Sequence, residues 1–222
     1  MSTNVKNAKN GTTYPPLEAG TYPAVCCGVI DLGLQRSVFE GNEKELVQIL
    51  LTWEIPDETI EVNGETKPRQ ISRTYTFSVN EKARLRKDLK AWRGRDFTDV
   101  ELADFDIAKV LGAPCFVNIT NVTRNGTTYA NLEGIMKLPK GMAVKPPTKR
   151  LHFDIDNRET WGVFHELPEW VQTKINESLT FQEKGFHLDR AGNIEPNPPA
   201  ALDKDYISGI CDICDDDEPL PF

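Results

Sequence analysis

No stretch of this sequence approaches the roughly 18–20 consecutive apolar residues that a membrane-spanning helix needs. Met1 to Asn10 is polar and lacks the apolar segment of a secretory signal. A soluble intracellular protein is therefore expected. Cysteine is sparse: five residues, an odd number, with Cys26 and Cys27 adjacent. That is a poor disulfide framework and fits a reducing cytosol. Without a secretory signal, the Asn-x-Thr triplets at Asn118, Asn121 and Asn125 carry no weight as glycosylation sites.

Groups that hold metals or phosphates are also scarce. The three histidines, His152, His165 and His187, share no metal-binding repeat. Cys211-x-x-Cys214 has ligand spacing, but no second pair completes it and its neighbours are acidic. No glycine-rich lysine loop is present to cradle a nucleotide. His152-x-Asp154-x-Asp156 would suit a metal nuclease, yet no general base and lysine accompany it in convincing spacing. No catalytic residue, metal or cofactor is expected, and the chain reads as a non-enzyme.

The sequence does have segregated charge. Its net charge is −8, but Asp203 to Phe222 alone carries −6, leaving −2 for everything before it. Within that remainder, Arg69 to Arg95 carries +7 and Lys137 to Arg150 carries +5. The distribution says more about partners than the sum does.

Hydrophobic periodicity predicts strands over Tyr22 to Leu32, Leu46 to Ile55 and Arg69 to Val79. Gly28 and Gly33 offer places for the first to bulge. In the second, Val47, Ile49, Leu51, Trp53 and Ile55 share a face opposite Gln48, Thr52 and Glu54. In the third, Ile71, Arg73, Tyr75, Phe77 and Val79 alternate with Ser72, Thr74, Thr76 and Ser78. Asn63-Gly64 is a two-residue hairpin signal between the last two. A helix is predicted from Ser78 or Asn80, with a capping box at Ser78-x-x-Glu81, core positions Leu85, Leu89 and Trp92, and a stop at Gly94. A second box, Thr98-x-x-Glu101, opens a shorter helix to about Leu111. Strands over Cys115 to Val122 and Thr128 to Met136 follow, joined by Asn125-Gly126.

Three strands, helices and two strands make the order of a five-stranded Greek-key OB barrel, with its helix between strands three and four. The predicted organisation is a flexible arm at 1–20, an OB-fold DNA-binding domain at 21–136, and a basic loop with an aromatic extension at 137–182. A disordered linker and acidic tail occupy 183–222. The extension carries Phe153, Trp161, Phe164, Trp170 and Phe181, with Pro168 opening a short helix. It either covers the barrel or forms the contact of a homodimer; the sequence leaves both open.

The sharpest motif is the C-terminus, Asp215-Asp216-Asp217-Glu218-Pro219-Leu220-Pro221-Phe222. A final ring fills an apolar pocket, a basic rim takes the aspartates, and a cation captures the terminal carboxylate. Solubility alone would not call for an aromatic last residue. The motif resembles the terminal peptide of bacterial single-stranded-DNA-binding proteins, in which an acidic run precedes an apolar residue, proline and phenylalanine. Pro219 departs from that pattern. Basic body and acidic tail together resemble phage-encoded single-stranded-DNA-binding proteins. The resemblance implies coating of exposed strands in a host's cytoplasm, and recruitment of replication or recombination proteins through Asp215, Asp216, Asp217, Glu218, Leu220, Pro221 and Phe222.

Single-strand binders pair a cationic groove with aromatic platforms. The candidate cations are Arg69, Arg73, Lys82, Arg86, Lys90, Arg93, Lys137, Lys140, Lys145, Lys149 and Arg150, with Arg84, Lys87 and Arg95 beside them. Tyr75, Phe77, Trp53, Phe116 and Tyr129 lie on predicted strands and could stack bases; Trp53 and Trp92 lie on apolar stripes and belong in the core, and Tyr75, Phe116 and Tyr129 are the candidate platforms. Two other functions compete. A DNA mimic or other protein-interaction factor would need acid spread over the folded body. A metal-dependent nuclease would cleave DNA in magnesium.

Overall fold

The computed structural model describes residues 15–39 and 42–196. The protein is mainly β, built on an antiparallel sheet with a few short helices. β1 (Gly20–Phe39), β2 (Asn42–Val62) and β3 (Glu65–Thr76) are followed by α1 (Arg84–Arg93) and α2 (Asp99–Ala103). A 3-10 turn (Ile107–Val110) leads into β4 (Pro114–Arg124) and β5 (Thr127–Met136). The hydrogen-bonded order is β3-β2-β1-β4-β5, and a sixth strand, β6 (Leu151–Phe153), pairs parallel with Gly28–Ile30 of β1.

Both Asn-Gly signals form their turns. Asn63 and Gly64 have φ of 54° and 82°, Asn125 and Gly126 have 51° and 78°, and two successive positive φ values are what a type I′ hairpin requires. β1 breaks register between Cys26 and Gly28 and again between Asp31 and Gly33. Gly33, at φ 71°, cannot be replaced without cost: a Cβ there would lie 2.7 Å from Ile155 Cδ1 and 2.9 Å from Ser178 Oγ.

The first core lies between the inner face of the sheet and α1. It buries Val29, Ile49, Leu51, Trp53 and Ile55 with Leu85, Leu89, Trp92, Val117 and Ile135. Trp92 Nε1 donates to Pro114 O at 2.9 Å, which satisfies the one polar atom its ring brings inside. Cys26, Cys27 and Cys115 are buried free thiols; burial pushes Cys27 up to about 12.

Several expectations are corrected. The path is not a closed barrel: β3 and β5 share no backbone pairing. Their seam is bridged by side chains, Arg73 donating to Leu132 O and Arg84 to Glu133 O. The strands are longer than the periodicity suggested, because β1 and β2 continue as a paired ribbon from Leu34↔Val47 to Phe39↔Asn42, beyond the core. α1 starts at Arg84, not at Ser78 or Asn80. Ser78 Oγ accepts from Asn80 N–H, and Asn80 Oδ1 accepts from Lys82 N–H, so local turns use the groups a capping box would need. The Thr98–Glu101 box does form, but its helix ends at Ala103, and Asp106 caps the separate 3-10 turn through Ala108 N–H.

The extension covers the sheet. Leu151–Phe153, a 3-10 stretch (Arg158–Glu166), α3 (Glu169–Asn176) and α4 (Leu179–Lys184) pack a second core on the outer face of β1 and β2. Phe153, Trp161, Phe164 and Phe181 close over Ile30, Leu32 and Leu50. Trp170 stays half exposed, and Pro168 precedes α3 as its cap instead of entering it. The polar stretch after Gly185, expected to belong to a disordered linker, forms a hairpin of β7 (Phe186–Leu188) and β8 (Ile194–Pro196) with Leu188 buried in this core. Arm residues also pack: Leu17 joins the first core, and Pro15 O accepts from Arg69 at 2.8 Å. The basic segment from 137 to 150 is irregular, as expected.

Candidate nucleic-acid interface

With α1 on one side of the sheet and the extension on the other, the β3 edge that lacks a backbone partner runs along its side-chain-bridged seam with β5. Two troughs follow it. One, of about 820 Å³, is lined by Arg73, Thr74, Tyr75, Thr76, Lys82 and Arg84. The other, of about 860 Å³, runs past Glu54, Glu65, Lys67, Arg69, Lys149 and Ala130, with Lys67 paired to Glu65 at 2.8 Å. Ala130 also lines a smaller hollow of about 380 Å³ at the β4–β5 hairpin, beside Arg124 and Tyr129. The first two openings are lined by β3 residues, and the third lies at the β4–β5 hairpin, sharing Ala130 with the second.

The aromatic candidates separate. Tyr129 is 55% exposed at the β4–β5 hairpin. Tyr75 is 3% exposed and donates to Asp88 Oδ2 at 2.9 Å, so it is a core residue and not a stacking platform. Burial pushes its phenol well above the ordinary range, with the Asp88 charge adding to the shift. Phe116 lies half-buried on β4, across from Met136 and Pro23 and away from the β3 edge. Trp53 and Trp92 are core residues, as expected, with ring centroids 5.9 Å apart.

Most candidate cations are already paired. Arg73 and Arg84 share Asp88, at 3.5 and 3.0 Å. Arg86 and Lys90 share Asp96, at 3.4 and 2.8 Å. Arg93 and Arg95 share Glu101, each at 2.6 Å. Arg93 also lies 4.2 Å from the Phe97 ring centroid, a cation–π distance. The bond from Lys90 holds Asp96 down at about 2, and Arg95 and Arg93 hold Glu101 below the usual carboxylate range. The +7 segment ends at Arg95, but residues 96–106 add five acids and no base. Folding brings three of the acids from the two segments onto six of the bases. The helical stripe of Arg86, Lys90 and Arg93 is therefore an ion-pair lattice, not a bare cationic face.

The basic segment from 137 to 150 is spread out. Lys137 lies at the C-terminal end of α1, its backbone N–H donating to Ala91 O and its side chain against Gly94, where a cation complements the helix dipole. Lys145 meets Asp57, Lys149 meets Glu166, and Arg150 lies over Gly112. Lys140 is exposed. Thr148 ties the segment down, its N–H and Oγ1 donating to the buried Glu54 Oε1 at 2.9 and 3.0 Å. Of the cations here, only Lys149 lines the β3 edge. Among the described residues, Lys82 and Lys87 make no ion pair, and Lys82 lines the first trough.

Sequence reasoning named Phe77 among the rings that could stack and Arg84 among the accompanying cations, without singling out either. Phe77 is 41% exposed where β3 leaves the core, and the early end of the core row below it was the signal. The tail Asp215 to Phe222, with Cys211 and Cys214, lies outside the described residues. Among the described residues no group of three or more His, Cys, Asp or Glu side chains could hold a metal ion, and no helix is long and apolar enough to cross a membrane. No protein-family model matches the chain, and no curated protein matches it in sequence.

Proposed function

We propose that this protein binds single-stranded DNA along the free edge of β3 with little sequence preference, and that its acidic, Phe-ended tail recruits replication or recombination proteins. The observation that carries the reading is the set of open troughs on β3 and the β4–β5 hairpin, with Lys82 and Arg84 in the first, Lys67, Arg69 and Lys149 in the second, and Arg124 and Tyr129 in the third. The strand order, with helices between β3 and β4, supports an OB fold. Folds of that type are partly open barrels that bind oligonucleotides on strands two and three and on the loops beside them. Here the extension fills the outer face of β2 around Leu50, which leaves β3 and the β4–β5 hairpin as the accessible part.

From Lys67 to Phe77 the edge spans about 33 Å at roughly 3.3 Å per residue. That length suits the lower half of the roughly 4–16 nucleotides covered by one such module. Phosphates meet the lysines and arginines, and bases meet exposed rings. The tail carries charge opposite to the trough's and competes for it, so DNA binding frees the tail for partners.

Fluorescence-anisotropy titration of single- and double-stranded oligonucleotides across salt tests this reading. Single strands bind more tightly, with a log–log salt slope of about −2 to −4. Removing residues 203–222 raises affinity at low salt. No binding in dilute buffer, even with the tail removed, refutes the single-strand reading. Unchanged low-salt affinity after tail removal refutes the competition.

A further inference from the structure

β3 ends at Thr76, yet Phe77 N–H still donates to Val47 O at 2.7 Å. Gln48 pairs with Thr76, so Val47 and Phe77 face each other one step further along. Directly opposed residues on one sheet face have their Cβ atoms about 4.5–5.5 Å apart, close enough for a ring and a branched side chain to form one surface. By alternation both belong to the inward rows, Phe77 after Tyr75 and Val47 before Ile49. Tyr75 and Ile49 are each 3% exposed, whereas Phe77 and Val47 are each 41% exposed. The inward rows have run past the end of the core, and their last members face water.

A single exposed phenylalanine is ordinary. This one is paired with Val47, and its backbone borders a cationic trough. Thr76 and Ser78, its neighbours in sequence, both line that trough. The next turn is fixed by Ser78 Oγ accepting from Asn80 N–H at 3.3 Å and by Asn80 Oδ1 accepting from Lys82 N–H at 3.1 Å. The Lys82 backbone is thereby fixed five residues beyond Phe77, and its side chain lines the trough with no carboxylate partner among the described residues.

On the reading that the β3 edge binds single strands, we propose that Phe77 is the stacking platform for a base at the α1 end of that edge, with Val47 as its apolar flank and Lys82 receiving the neighbouring phosphate. Tyr75, the residue that alternation alone would choose, is excluded by burial and by its bond to Asp88. Tyr129, 55% exposed, takes the equivalent place at the β4–β5 hairpin.

The test uses the full-length protein and a fluorescent thymidine oligonucleotide of about 20 nucleotides, longer than one module's site. Phe77→Leu keeps an apolar side chain but removes the ring, and it weakens binding by about 5- to 150-fold. The salt slope stays unchanged, because no phosphate contact is lost. Phe77→Trp restores the affinity, which a merely structural loss would not allow. Ultraviolet cross-linking of a bromodeoxyuridine oligonucleotide recovers the peptide containing Phe77. If the parent protein binds and Phe77→Leu binds equally well, the assignment of Phe77 is overturned while the single-strand reading stands. It is also overturned if Phe77→Trp leaves the loss unrepaired. If the parent ignores the oligonucleotide, the underlying reading falls and this proposal with it.

Discussion

Along the flank of α1, Arg86, Lys90, Arg93 and Arg95 are held by two carboxylates, Asp96 and Glu101. Along the β3 edge, Lys82 has no such partner, and rings stand exposed beside the troughs. Both regions come from the same charge-rich third of the sequence. What separates them is where the acids fall after folding. On the α1 flank, cations bound to Asp96 and Glu101 tie α1 to the loop before α2 and to α2 itself. On the β3 edge, Lys67 meets Glu65 and Lys149 meets Glu166, while Lys82 has no carboxylate partner among the described residues and is available to a phosphate. Charge density along a sequence locates a cationic region, and pairing decides whether it supports structure or binds a ligand.

The largest expected effect is at the junction of the two regions. Asp88 accepts from Tyr75 and pairs with Arg73 and Arg84, and the Arg73 side chain is only 19% exposed. Asp88→Ala strands a nearly buried guanidinium and costs about 3–5 kcal/mol, the range for breaking a buried pair from one side. Urea denaturation measures it. A loss below about 1 kcal/mol, the range of a surface pair, would mean that Arg73 is solvated and free for DNA after all.

Next is the outer core. Leu50 is 4% exposed under the extension, and Leu50→Ala should destabilise the protein by about 2–5 kcal/mol. It should leave oligonucleotide affinity unchanged in conditions where the variant is folded. A parallel loss of affinity would put the DNA on the β1–β2 face and not on the β3 edge.

Much of the inner architecture was legible because its signals are local. Asn63-Gly64 and Asn125-Gly126 specify φ > 0 twice in succession, and no distant residue alters that requirement. The Val29, Ile49, Leu51 and Trp53 core follows from alternation, and Gly94 ends α1 in the left-handed conformation as a C-terminal glycine should. Ser78-x-x-Glu81 and Thr98-x-x-Glu101 have the same spacing, and only the second caps a helix. Asn80 made the difference, offering a turn to the backbone before a helix could begin. The aromatic extension was visible as such, but its target was not: Leu50, Ile30 and Leu32 look like solvent-side residues until another segment covers them. The site was the least legible part. Tyr75 and Phe77 have the same parity on the same strand, and only the position at which the core ends makes one buried and the other exposed.

A smaller effect separates the two cationic regions directly. Lys82→Ala removes one phosphate contact and should reduce the magnitude of the salt slope by about 0.7. Arg95→Ala lies in the stapled region and should leave the slope unchanged. Equal changes in both variants would mean that the ion pairs on α2 open when DNA binds, and the distinction between flank and edge would be lost.

The smallest effect is the acid dependence of the staple itself. Asp96 has a folded-state value of about 2 against an ordinary value of 3.8, because Lys90 donates to it, Phe97 N–H supports it and Arg86 lies nearby. A carboxylate depressed by folding contributes stability that is fully present above its unfolded value. That contribution is lost as pH falls through the folded value. The window therefore runs from about pH 4 down to about pH 2. Because Asp96 is solvent-exposed, the effect should be a modest fall in melting temperature, and salt should screen it. Asp96→Asn has no such titration, so the gap in melting temperature between parent and variant should narrow across that window and be constant above it. A gap that stays the same from neutral pH down to pH 2 would mean that Lys90 and Arg86 draw nothing from Asp96. Those cations would then be as available to phosphate as Lys82.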